Sequence, residues 1–72
     1  MCLAVPGRIV LIDGPRATLE VSGVQLLARV DLLPEAQVGN WVLVHAGFAI
    51  TVIDETAASE IIRLREQVSQ HG

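Results

Sequence analysis

Apolar and polar residues alternate with a period close to two along the first three-quarters of the chain, and the alternation is punctuated by turn residues. Residues 8–12 and 16–21 are short apolar or β-branched runs separated by Asp13-Gly14-Pro15, a turn signal that reverses the chain. They are expected to form an antiparallel pair. Val21-Ser22-Gly23-Val24 places two turn residues between apolar runs, the spacing of a tight hairpin in which glycine supplies the positive φ. A third strand then runs from Val24 to about Val30. Pro34 and Val38-Gly39-Asn40 break the next stretch into a connection. Beyond it, residues 41–45 and 49–53 bracket Ala46-Gly47-Phe48 and predict a fourth and a fifth strand.

After Asp54 the period changes to 3.6, with Ala57, Ile61, Leu64 and Val68 on one face and Glu60, Arg63 and Glu66 off it. Asp54 has the side chain of a good N-cap, and Glu55 suits the positive end of a helix. The pattern predicts a helix over 55–69, with Ile61, Ile62 and Leu64 covering apolar surface. Five short strands followed by one helix describe a mainly β fold, a small five-stranded antiparallel barrel of OB-like shape with a C-terminal α-helix. A chain of 72 residues is expected to form one domain, the barrel over about 4–53 and the helix behind it.

Composition removes several function classes. Half the residues are apolar, yet the longest apolar runs are only about five residues, far below the ~20 that span a bilayer. The N-terminal residues do not read as a signal peptide, so the expectation is a cytoplasmic protein with no membrane partner. One cysteine cannot form an internal disulfide, which fits a reducing compartment. The net charge is −3, the five basic residues are all arginine and dispersed, and Trp41 and Phe48 are the only aromatics. Nucleic acid is therefore not an expected partner, because neither a basic stripe nor a stacking platform is present.

The remaining chemistry resides in Cys2, His45, His71 and scattered carboxylates. No serine sits in a motif that would expose an activated nucleophile, the glycines are too scattered to cradle a phosphate, and one cysteine with two histidines falls short of a structural zinc site. No enzyme is expected. A lone cysteine is usually a small inert hydrophobe, but Cys2 lies at the N-terminus, where chains are accessible, and Pro6 biases Val5 toward an extended conformation. The thiol is presented on a short arm. Removal of Met1 would place an α-ammonium beside it, favouring thiolate. His45 shares a strand face with Trp41 and Leu43. His71, near the chain end, is expected to be solvated.

Met1-Cys2-Leu3-Ala4-Val5-Pro6-Gly7-Arg8-Ile9 resembles the N-terminal signature of the HypC/HybG/HupF hydrogenase-maturation chaperones. A second block, Val38-Gly39-Asn40-Trp41-Val42-Leu43-Val44-His45-Ala46-Gly47-Phe48-Ala49-Ile50, is similar to that family's segment of the same design, as are Ile53-Asp54-Glu55 and the acidic helix that follows. Asn40 and Trp41 stand where Asp and Tyr are common, and Ala46 where Val is common. The resemblance covers essentially the whole chain. It implies a scaffold that helps build the iron centre of nickel-iron hydrogenases, with transiently bound iron carrying cyanide and carbon monoxide, as an Fe(CN)2CO unit, and no stable cofactor. The implied partners are the maturation protein HypD and the precursor of the hydrogenase large subunit. Cys2 carries over as the iron ligand, with Cys2 and Pro6 on the partner-binding arm. For His45 two readings stay open, a second ligand or hydrogen bond near the iron and a strand-end histidine satisfied by backbone or water. An interaction module without iron, and an OB-like nucleic-acid binder, are the readings of other classes.

Overall fold

Alternation of inward and outward side chains sets the architecture of the chain. A computed structural model describes residues 4–71, with side chains through Leu64. Its elements are β1 (Val5–Asp13), β2 (Arg16–Val21), β3 (Val24–Arg29), β4 (Trp41–His45), β5 (Phe48–Ile53) and α1 (Glu55–His71). The strands close into a barrel in the order β1-β2-β3-β5-β4. Four of the five neighbouring pairs are antiparallel, as the alternation predicts. The fifth departs from the expectation of a purely antiparallel barrel, because β3 and β5 run parallel where Arg29 meets Phe48. An odd number of strands cannot close with every neighbour antiparallel, so one parallel seam is unavoidable.

Inside the barrel, Ile9, Leu19 and Val42 are wholly buried and are joined by Ala17, Ala28, Ala49, Val30, Leu33 and Val44. The three alanines are needed because a five-stranded barrel is too narrow for a large side chain at every inward position. Burying each of the larger aliphatics contributes roughly 1.5 to 3 kcal/mol.

Strand β1 starts at Val5, three residues ahead of the expected strand, and serves two neighbours. Its first half pairs with β4 from Val5↔Val44 to Arg8↔Trp41, and its second half pairs with β2. A bulge between Ile9 and Leu11 marks the change of partner, which is how a strand bends around a barrel corner. Gly7 sits at a close approach: a Cβ there would lie 3.0 Å from Val21 Cγ2 and 3.3 Å from Leu19 Cβ. Pro6-Gly7 punctuates the sequence like an arm or turn, yet long-range pairing holds it as strand.

The expected hairpin at Ser22-Gly23 has φ of 50° and 83°. Positive φ at both central residues is the twist that suits a two-residue connection. Ala46 and Gly47 repeat the pattern between β4 and β5, with φ of 55° and 84°, so β5 starts one residue earlier than expected, at Phe48.

Asp54 caps α1 as its side chain predicts, its Oδ1 accepting a hydrogen bond from the Ala57 N–H at 2.7 Å. The helix packs against β1 and β4. Ala58 is completely buried, Ala57, Ile61 and Ile62 are half-buried, and Leu64 is 57% exposed. Leu64 therefore does not cover the barrel as expected, because the packed face runs through Ala58 and Ile62. The positions of the Val68 and His71 side chains lie outside the described residues. No helix here is long and apolar enough to cross a membrane among the described residues.

Candidate functional site

Cys2 lies outside the described residues, and the described chain begins two residues beyond it, at Ala4. Two links away, Ala4 is buried, Val5 is paired with Val44, and Pro6 is wholly buried. A chain rises by at most about 3.6 Å per residue. Two such steps separate Cys2 from Ala4. The arm is shorter than the sequence suggests, since its anchored part begins at Ala4. The Pro6 ring, expected on the partner-binding arm, is packed into the chain's own interior and offers no surface in this structure. Its contribution is to fix the backbone from which Cys2 extends.

Antiparallel pairing of β1 with β4 decides what stands at this rim. Ala4 and His45 are the next residues along the ladder that pairs Val5 with Val44. Val42 and Val44 point into the core, so Trp41, Leu43 and His45 share the outer face as alternation requires. His45 is exposed at the strand end and makes no side-chain hydrogen bond or ion pair among the described residues. Ala46 and Gly47 are exposed beside it.

Barrel closure adds two residues that the sequence did not single out. His45 pairs with Phe48, and Phe48 with Arg29, so the three form one row across β4, β5 and β3. All three are exposed. Neighbouring strands are spaced by ~4.8 Å, which puts the Arg29 and His45 backbones about 10 Å apart. The Arg29 guanidinium is engaged by Asp31, through Nη2 at 2.8 Å and Nε at 3.2 Å. That hydrogen bonding, with the attraction between the charges, raises the Arg29 pKa and holds the Asp31 carboxyl below the usual carboxylate range. Nothing local in the sequence marks this row, because it exists only once the parallel seam forms.

Among the described residues, no three His, Cys, Asp or Glu side chains are grouped so that they could hold a metal ion. Among the described residues, His45 is the imidazole that this rim presents.

Comparison with known proteins bears on this arrangement. The HupF/HypC family model matches residues 1–65. The hydrogenase maturation factor HypC of Helicobacter hepaticus is 44% identical over 72 residues, covering 97% of this chain and 84% of that protein. The factor of the same name from Escherichia coli K12 is 43% identical over 68 residues, with coverage of 86% and 76%. That of Cupriavidus necator is 38% identical over 65 residues, with coverage of 89% and 72%. A match that starts at Met1 takes in the Cys2 arm, the β1–β4 ladder and most of the helix, and on these grounds the chain belongs to the HupF/HypC family.

Proposed function

We propose that this protein is a hydrogenase-maturation chaperone whose Cys2 thiolate holds the Fe(CN)2CO unit together with HypD, and that it then passes this cargo to the large-subunit precursor in the cytoplasm. The observation that carries the reading is the short tether: Ala4 and Pro6 are buried and Val5 is paired, beside a rim where His45 is exposed. A thiol carried two residues before that anchor would meet a partner's surface. The role is that of a scaffold, with no turnover of its own.

The chemistry fits a carrier. Iron bearing carbon monoxide and cyanide is soft and accepts thiolate readily. A single protein ligand can be exchanged for cysteines of the receiving subunit, whereas a closed four-ligand cage would retain its cargo. Capture displaces the thiol proton, so loading strengthens as pH rises toward the pKa of the thiol. His45 is the one imidazole at the described rim and would serve as a second ligand or hydrogen-bond donor.

The test replaces Cys2 with Ser or Ala. Folding stability should stay within about 0.5 kcal/mol of the parent, because the substitution lies before the anchored residues. The carbon monoxide and cyanide infrared bands should disappear from chaperone complexes purified from cells, and hydrogenase activity of those cells should vanish. Serine fails as alanine does, since a hydroxyl remains protonated at neutral pH and ligates soft iron poorly. His45→Ala should give the milder defect. Retention of the bands and of mature enzyme in Cys2→Ala would overturn the carrier mechanism. Complexes with HypD that form but never contain iron, even with Cys2 intact, would point to an adaptor instead.

A further inference from the structure

Among the described residues, strand β3 has one edge paired along its whole length and the other paired at Arg29 alone. All six of its residues pair with β2, from Arg16↔Arg29 to Val21↔Val24. On the other side, among the described residues, only Arg29 is paired, with Phe48. Hydrogen bonds at the end of the strand show which groups face which way. The Val30 N–H donates toward β2, to Pro15 O at 2.7 Å, while the Arg29 N–H donates the opposite way, to Gly47 O at 2.8 Å. Direction alternates along a ladder. Leu27 and Gln25 therefore turn their N–H and C=O groups toward the open edge.

That edge lacks the usual protection. Residues 24–28 contain no charge and no proline, the devices by which natural edge strands resist pairing. Val24, Gln25 and Leu27 are exposed, Leu27 at 68%. The outward-turned residues are also placed evenly about Leu26. If two copies lie antiparallel with a two-fold axis at Leu26, Gln25 of each faces the partner's Leu27, and each such pair can exchange both backbone hydrogen bonds. Val24 then faces the partner's Ala28. The first charged residue along the edge, Arg29, falls opposite the partner's Gly23, so the register buries no like charges.

We propose that the open edge of β3 binds a second copy of this chain, forming an isologous antiparallel dimer through residues 24–28. Uncharged side chains on both edges and hydrogen-bonding positions that map onto themselves favour this occupant over a foreign strand. The strand is short, so the dimer belongs at the weak end of specific interfaces and is populated at high protein concentration.

Sedimentation equilibrium of the full chain, from micromolar to about millimolar concentration, should show a reversible monomer–dimer transition. Over the same range the Gln25 and Leu27 amides should gain protection from hydrogen exchange, while the Leu26 amide, already turned toward β2, should not change. Gln25→Lys with Leu27→Lys sets like charges opposite each other and should weaken dimerisation by at least about tenfold. Gln25→Glu with Leu27→Lys sets opposite charges across the axis and should restore it. A chain that stays monomeric up to millimolar concentration would overturn the proposal. So would a dimer that survives the double lysine variant, or one in which the Gln25 and Leu27 amides gain no protection. The amide measurement uses the unmodified protein and decides the matter even if a lysine variant folds poorly.

Discussion

Barrel and helix bury apolar surface in different ways. Among the described residues, Ile9, Leu19 and Val42 are enclosed by residues drawn from the strands and the connection between β3 and β4. The described part of α1 buries one residue completely, Ala58, and leaves Ile61 and Ile62 half-exposed. It lies across β1 and β4, the two strands whose pairing tethers the N-terminal arm. Among the described residues the barrel thus supplies most of the buried apolar surface, while the helix braces the β1–β4 seam. A small domain of this kind has only ~3 to 5 kcal/mol to lose, so the division predicts which substitutions unfold it.

Leu19→Ala should have the largest effect. Truncating a fully buried leucine costs about 2 to 5 kcal/mol, enough to leave the chain largely unfolded, as circular dichroism at room temperature would show. Gly7→Val comes next, because its Cβ must displace Val21 or Leu19 at the seam between the arm and β2. Overpacking of this kind costs about 1 to 3 kcal/mol, and a urea titration should register it as a lower midpoint with little change in slope. Asp54→Ala removes the helix cap and should cost about 1 kcal/mol. Its signature is early hydrogen exchange at the Ala57 and Ala58 amides with the barrel amides unaffected. If Asp54→Ala instead melts the barrel as Leu19→Ala does, helix and barrel are one cooperative unit and the contrast drawn above fails.

The smallest expected effect is Asp31→Asn. The Asp31 pKa is lower in the folded chain than in an unfolded one, so the pair with Arg29 stabilises the fold at neutral pH. That contribution is lost as pH falls from about 4 through the lowered folded value. The asparagine variant should lack this one component of the acid dependence, seen by comparing melting temperatures of the two proteins at neutral and acid pH. A salt-sensitive exposed pair moves stability only slightly.

Features governed by local physics were legible in the sequence. The Asp54 cap, the Ser22-Gly23 hairpin and the face shared by Trp41, Leu43 and His45 all follow from periodicity and turn chemistry acting over a few residues, whereas which face of β4 turns inward is set by barrel closure. The family relationship was legible too, from the Cys2 arm and the block ending at Ile50. What escaped was set by pairing between distant parts of the chain. Pro6-Gly7 looks like a free arm until β4 pairs with it. Leu64 fits an apolar stripe, yet the packed face is fixed by how closely Ala58 lets the helix approach. The row joining His45, Phe48 and Arg29 depends on the parallel seam, for which strand periodicity gives no signal.

The β1–β4 ladder has a further consequence for the order in which the chain folds. The hairpins β2–β3 and β4–β5 close small loops and can form early, but Val5↔Val44 joins opposite halves of the polypeptide. Contacts that enclose so much chain carry the larger loop-closure entropy and tend to lag behind local ones. Val5 and Pro6 therefore reach their places beside β4 only when this most distant pairing has formed. A partly folded chain with both hairpins in place still lacks the β1–β4 seam, so pairing of Val5 with Val44 reports that the barrel has closed.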